Sequence, residues 1–316
     1  MVFLVTGGAG FIGRAVVKNL LLKDIKVVVI DNLDNGKEQN LEEFKDNKNL
    51  KEFIIDDIRN KEIIEGLFQK YKFTCCIHLA AQINVQESID KPKKAFENNV
   101  IGTYNILETA RNFNTRVVLL GTCMVYDLAD ANIAISENHK VLPRSPYAGS
   151  KVAAEELALS YYYGFNLPVV ILRPFNVYGP FQKTNMEGGV VSIFVSRKIK
   201  NEKLMIFGDG TQTRDLLYVD DCAEFIVKAS INDDCIGEII NAGTGRDISI
   251  NDLAKLIVED ESRIVHVEHH HPQSEIIKLV CDNTKAKKLL QWKAKVSLED
   301  GIKKLEAWIR ENERKN

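Results

Sequence analysis

Met1-Val2-Phe3-Leu4-Val5-Thr6-Gly7-Gly8-Ala9-Gly10-Phe11-Ile12-Gly13 is the stretch that decides the fold. Its apolar run breaks directly into closely spaced glycines, and Val16, Val17, Leu20 and Leu21 follow at helical spacing. A buried strand, a glycine-rich turn and an amphipathic helix open a βαβ unit whose helix N-terminus offers free N–H groups to a phosphate. Gly7 would make the tight turn, Gly10 would let the backbone approach a pyrophosphate, and Gly13 would let helix and strand pack closely, with Phe11 and Ile12 beside the same ligand. Val27-Val28-Val29-Ile30 reads as the next strand and ends in Asp31. That acid stands about 20 residues past the glycines, where a carboxylate can grip the ribose hydroxyls of a dinucleotide.

The first half of the chain repeats this alternation. Asn32-Leu33-Asp34-Asn35-Gly36 is a polar turn where the adenosine end of a cofactor would lie, near Asn32 and Asn35. Asp31 argues for NAD over NADP, because a carboxylate repels a 2′-phosphate and neither Asn32 nor Leu33 supplies a cation. Phe53-Ile54-Ile55 reads as a third strand running into Asp56-Asp57-Ile58, where Asp57 and Ile58 can flank the adenine. Cys75 to Ala81 reads as a fourth strand, and Leu79, Ala80 and Ala81 at its end leave room for the cofactor. His78 reads as a hydrogen-bonded strand residue rather than a catalyst. A long helix is expected over 92–112 and a fifth strand at Val117-Val118-Leu119-Leu120. Strands and helices alternating at short spacing predict an α/β fold with a Rossmann doubly wound parallel sheet.

Composition narrows the function classes. Hydrophobic residues make up 45% and charged residues 27% of 316, as in ordinary globular proteins. A formal net charge of −2 offers no basic field for nucleic acid. No run approaches the ~18–20 apolar residues of a membrane span. The six cysteines (75, 76, 123, 222, 235 and 281) form no C-x-x-C pair, and Cys75-Cys76 reads as inert core. With the first strand starting at the N-terminus, the chain is expected to be cytoplasmic, with reduced thiols.

Gly121-Thr122-Cys123-Met124-Val125-Tyr126 follows the fifth strand, at the carboxyl edge where α/β proteins bind ligands. After a loop, Ser145-Pro146 opens a helix on which Tyr147 and Lys151 share one face. An ammonium beside a phenol favours the phenolate, and such a tyrosinate can act as a general base. The Thr122 hydroxyl could bond the same substrate oxygen.

With these residues in place, the chain is identified as resembling the extended short-chain dehydrogenase/reductases of the nucleotide-sugar epimerase/dehydratase family. The matching text is Thr6–Gly13, Asp31-Asn32-Leu33, His78-Leu79-Ala80-Ala81, Asn99-Val100-Ile101-Gly102-Thr103 and Ser145–Lys151, then Arg173–Pro180, Gly208–Asp215 and Tyr218–Asp221. These motifs span nearly the whole chain in family order. The resemblance implies that Thr122, Tyr147 and Lys151 are catalytic, that Asn99 belongs to the cofactor site, and that Asn176 and Arg214 hold the substrate diphosphate. It implies a smaller mixed α/β C-terminal lobe from about 174–215 plus 244–316, with 1–173 and about 216–243 forming the NAD-binding domain. It also implies a homodimer through helices near 92–113 and 145–163.

Two places depart from that pattern. Relatives performing 4,6-dehydration carry Asp-Glu after the catalytic threonine, since loss of water needs a proton donor and a proton acceptor. Here Cys123 and Met124 stand there, and a thioether moves no protons. A 4-epimerase acting through a transient 4-keto sugar needs only Tyr147, Thr122 and the bound NAD, so epimerisation of a UDP-hexose or UDP-N-acetylhexosamine is expected. The alternatives are a 4,6- or 5,6-dehydratase using Cys123 and, in another class, a non-catalytic NAD-binding sensor. Cys123 itself reads as packing more than chemistry. Asp127 replaces the glycine that follows Val-Tyr in relatives. The second departure is His269-His270-His271, where His271 could stand in for an arginine that relatives aim at the diphosphate. Adjacent side chains on extended backbone face opposite ways, so no metal site is expected.

Overall fold

Strands with long apolar runs belong to sheets covered on both faces, and the inner strands of the seven-stranded sheet at the centre of this molecule are of that kind. The computed structural model describes residues 1–129, 133–183, 189–268 and 277–315. Within them the strands are β1 (Val2–Thr6), β2 (Lys26–Asp31), β3 (Leu50–Ile55), β4 (Cys75–His78), β5 (Arg116–Leu120), β6 (Val169–Pro174), β7 (Asn176–Tyr178), β8 (Leu204–Phe207), β9 (Thr213–Arg214), β10 (Leu216–Tyr218), β11 (Ile239–Ala242), β12 (Ile248–Ser249) and β13 (Ile264–Val267). The main sheet runs β11-β6-β5-β4-β1-β2-β3 with every neighbour parallel. Strand order reverses between β1 and β4, which opens a crevice at their carboxyl ends.

The helices are α1 (Phe11–Leu22), α2 (Lys61–Tyr71), α3 (Val85–Asp90), α4 (Pro92–Phe96), α5 (Gly102–Phe113), α6 (Pro146–Phe165), α7 (Val190–Ile199), α8 (Val219–Ile231), α9 (Ile250–Ile257), α10 (Thr284–Leu290) and α11 (Leu298–Lys315). Side chains alternate across the sheet by the two-residue period of a strand. Phe3, Val5, Val27 and Val29 pack with Val16, Val17 and Leu20 of α1 and Phe225 and Ile226 of α8. Leu4, Val28 and Ile30 pack on the other face with Phe68 of α2, Ile106 and Leu107 of α5, and Ala158 of α6. Each large apolar side chain buried this way contributes about 1.5–3 kcal/mol.

Beyond β6 the chain leaves the sheet, forms the pairs β7–β10, β9–β12 and β8–β13, and returns through α8 and β11 to the sheet edge. All six cysteines are free and buried. Among the described residues no helix is long and apolar enough to cross a membrane.

Two elements differ from the sequence expectation. The fourth strand stops at His78: the Leu79 N–H is shared between the Thr6 carbonyl and the Thr6 hydroxyl, and the Ala80 N–H turns to that hydroxyl, each at 3.2 Å. The long helix is interrupted by a π-helical turn, Glu97–Ile101, which separates α4 from α5. Such turns occur often at functional sites, and this one carries Asn98 to the wall of the crevice.

Candidate active site

The crevice begins at the glycine-rich turn. Gly7 has φ +70°, and a Cβ there would lie 2.8 Å from the Ala80 nitrogen. A Cβ on Gly13 would lie 2.0 Å from the Gly7 carbonyl oxygen, so only glycine lets α1 dock this close to the turn. Gly10, in extended conformation, precedes α1 without a side-chain cap, and the first turn carries no acid. Its N–H groups are therefore open to an anion.

Asp31 sits at the end of β2, buried, with one carboxylate oxygen accepting from the Ala9 N–H and the other from the Leu33 N–H, both at 2.9 Å. Burial pushes its pKa up while the N–H donors oppose the rise. Each oxygen keeps capacity for one further donor, as a ribose diol would require. Gly7, Gly10, Phe11, Ile12, Gly13, Asp31, Asn32, Asn35, Ile58, Leu79, Ala80 and Ala81 all line this cleft.

Two of the expected cofactor residues have protein partners in this structure. Asp57 turns its carboxylate to Arg59 (2.8 and 2.9 Å) and to the Asn32 amide (2.9 Å), and the Arg59 bond holds its pKa down to about 2. Its neighbour Asp56 lines the cleft instead. Asn99 is buried with its amide engaged by the Gln82 N–H (2.7 Å), the Gln82 carbonyl (3.0 Å) and Ser150 (2.8 Å). It braces the wall rather than facing the cleft. Gln82 is the residue it presents, and the buried Gln82 Oε1 has no partner among the described residues. An orphaned acceptor in a cleft with open helix N–H groups and an accepting carboxylate fits a dinucleotide with an amide at its far end.

A chain of hydrogen bonds ties that wall to the catalytic helix. The Thr6 hydroxyl lies 2.7 Å from His78 Nδ1, His78 Nε2 lies 3.0 Å from the Thr103 hydroxyl, and Thr103 donates to the Asn99 carbonyl at 2.6 Å. Because Thr103 commits its proton to that carbonyl, Nε2 must carry the imidazole proton and Nδ1 must accept. Burial lowers the His78 pKa to about 3, keeping the ring neutral. Ser150, the partner of Asn99, donates to the Tyr147 carbonyl at 2.7 Å, and the Tyr147 N–H donates to Ser88 at 3.0 Å.

Ser145 caps α6 by accepting from the Ala148 N–H at 3.1 Å, with Pro146 in the first turn. This places the Tyr147 phenol near enough to the Thr122 hydroxyl for that hydroxyl to favour the phenolate. Thr122 also accepts from the Met124 N–H at 3.2 Å. The electrostatics depart from the expected lysine–phenolate pair. Burial pushes Tyr147 up to about 12, and the opposing influence is the Thr122 hydroxyl, not Lys151. Lys151 donates to the Leu120 carbonyl at 2.5 Å, and burial lowers its pKa to about 8.

Cys123 is buried among Val125, Tyr126, Phe175, Leu279 and Cys281, and burial raises its thiol to about 12. A neutral thiol in an apolar nest packs and does not relay protons. The charge of Arg214 reaches this thiol and opposes the rise. Asn176 begins β7, and its buried Nδ2 has no partner among the described residues. Asp127, without a reading in the sequence, accepts from Lys140 (2.9 Å) and Arg144 (2.8 Å) and so clasps the loop that leads to α6. His271 lies outside the described residues, and among those described no cluster could hold a metal. Sequence reasoning missed Asp56, Gln82, Asn98, Phe181, Gln182 and Lys183, which also line the cleft. None belongs to a spacing pattern that marks a ligand.

A family model described as GDP-mannose 4,6-dehydratase matches residues 4–305. The chain belongs to this family. A protein called Pal from Bacillus thuringiensis, known from its X-ray structure, is 55% identical, covers 99% of this chain and 100% of its own, and superposes with a TM-score of 0.97. A putative UDP-glucose 4-epimerase of Methanocaldococcus jannaschii is 37% identical over 98% of this chain and 99% of its own. A UDP-glucuronic acid 4-epimerase from Bacillus cereus, solved with UDP-glucuronic acid and NAD, is 32% identical over 99% of this chain and 100% of its own, with a TM-score of 0.90. After Thr122 this chain carries Cys123 and Met124, neither of them a carboxylate.

Proposed function

We propose that this protein is an NAD-dependent nucleotide-sugar 4-epimerase that oxidises C4 of a UDP-hexose or UDP-N-acetylhexosamine to a transient 4-keto sugar. The observation that carries the reading is the buried Tyr147 phenol with the Thr122 hydroxyl as its neighbour, beside a cleft suited to a dinucleotide, with Cys123 and Met124 where dehydration would need acids. The cofactor supplies the hydride acceptor and, when oxidised, a positive ring. Gly7, Gly10 and Gly13 admit its pyrophosphate, Asp31 takes its ribose hydroxyls, and Lys151 is placed for the nicotinamide ribose. Tyr147 accepts the proton of the C4 hydroxyl at its phenolic oxygen while Thr122 holds the sugar oxygen. A phenol near 12 is almost wholly protonated at neutral pH, so the phenolate that takes this proton needs positive charge close by, which an oxidised nicotinamide would provide. Asn176 and Arg214 would hold the substrate diphosphate, the guanidinium as a bidentate donor.

The NAD-binding domain comprises 1–173 and about 216–243, and the sugar-nucleotide lobe the rest. Phe96, Ile101, Tyr104 and Tyr163 are exposed on the helices of 92–113 and 145–163, and that apolar surface supports a homodimer. Six buried, unpaired thiols accord with a cytoplasmic location.

Proton NMR of the purified protein with UDP-GlcNAc and UDP-glucose in D2O tests the reaction. Interconverting C4 epimers without solvent deuterium in the sugar are expected. A 6-deoxy methyl carrying deuterium would replace the epimerase with a dehydratase.

A further inference from the structure

We infer that Lys183 is a ligand of the dinucleotide pyrophosphate, delivered from the second lobe on a short arm that a stack of Arg14, Phe181 and Trp308 holds in place. The inference rests on the dinucleotide binding proposed above. The cleft is lined by Asp31, Asp34 and Asp56, and among the described residues that line it Lys183 is the one cation. A dianionic pyrophosphate needs positive charge there beyond the N–H groups of α1.

The arm leaves β7 at Gly179, whose φ is +147° and where a Cβ would lie 2.7 Å from Val219 Cγ1. Phe181 then takes φ +71°, a left-handed conformation that a bulky residue keeps only where its surroundings hold it. They do so from two sides. The Arg14 guanidinium lies 3.8 Å from the centre of the Phe181 ring, and the Trp308 ring centre lies 4.8 Å away. Arg14 stands next to Gly13 in α1, and Trp308 belongs to α11, so the stack joins the first helix to the last.

Gln182 fixes the next step. Its Nε2 donates to the Val177 carbonyl at 3.0 Å, and its Oε1 accepts from Ser192 of α7 at 2.6 Å. With both ends of Gln182 engaged, Lys183 is the residue left to serve a ligand. Its Nζ lies 3.3 Å from Asn35 Oδ1 and 3.5 Å from the Asp34 carbonyl, on the turn after β2. Contacts this long are readily exchanged for an anionic oxygen. A pyrophosphate would then sit between backbone N–H groups on one side and an ammonium on the other.

Isothermal titration of the whole chain with NAD, ADP, adenosine and UDP tests this. Lys183→Met keeps the side-chain stem and removes the charge. It should weaken NAD and ADP about tenfold or more and leave adenosine and UDP unchanged. Phe181→Ala, which frees the arm with Lys183 intact, should weaken the same two ligands. A Lys183→Met protein that binds ADP like wild type, or that loses UDP instead, overturns the inference while leaving the epimerase reading standing. Wild-type protein that binds neither NAD nor ADP overturns the epimerase reading itself.

Discussion

The two walls of the cleft are held in different ways. On the sheet side, Thr6, His78, Thr103, Asn99, Ser150 and Tyr147 form one buried hydrogen-bonded chain from the glycine-rich turn to the catalytic helix. On the other side, the arm rests on a ring stack, the two hydrogen bonds of Gln182 and two long lysine contacts. A satisfied buried network is rigid and hard to break, while ring and ammonium contacts permit small displacements. The difference follows the chemistry. Hydride and proton positions tolerate little error, whereas a cofactor needs a route in.

Substitutions on either wall put this contrast to the test. Tyr147→Phe leaves the fold intact and should cut turnover by about 10²–10⁴. An unaffected rate would remove the catalytic role of the rigid wall. Gly13→Ala pushes a methyl onto the Gly7 carbonyl, so cofactor affinity should fall by about 10² or more, read by titration with NAD. Arg214→Ala should weaken UDP binding by about 2 kcal/mol and spare NAD, placing it with the adjustable side.

His78 offers a pH test. Its pKa is lowered in the folded state, so unfolding takes up a proton between about 3 and 6.5. Its contribution is complete above 6.5 and declines as pH falls, by up to about 1.4 kcal/mol per pH unit. The stability advantage of wild type over His78→Gln in urea melts should therefore shrink from pH 7 to pH 5. A constant difference would show that the ring is not held neutral. Cys123→Ser should change turnover less than about threefold, as packing allows. A hundredfold loss would make Cys123 a chemical participant.

Much of the rigid wall was legible in the sequence because its residues answer to local constraints. Gly7, Gly13 and Asp31 are dictated by a turn, a close approach and a strand end, each written within a few positions. Tyr147 and Lys151 share a helix face by spacing alone. Their electrostatics were not legible, because the burial that raises one and lowers the other comes from distant elements. The bracing of Asn99 was not legible either, because its partners Gln82 and Ser150 are met only after folding. The arm was invisible because Phe181, Gln182 and Lys183 carry no spacing pattern, and the positive φ of Phe181 is set by Arg14 and Trp308 from opposite ends of the chain.

The burial of all six thiols has a practical side. Cys75, Cys76, Cys123, Cys222, Cys235 and Cys281 are shielded, and burial raises the pKa of each. Maleimide and iodoacetamide dyes react with exposed thiolates, so the native chain is silent toward them. A cysteine introduced at an exposed position such as Leu22 becomes the sole labelling handle, and the six native thiols can stay where they are. The molecule is in that sense ready for single-site fluorescence as it stands.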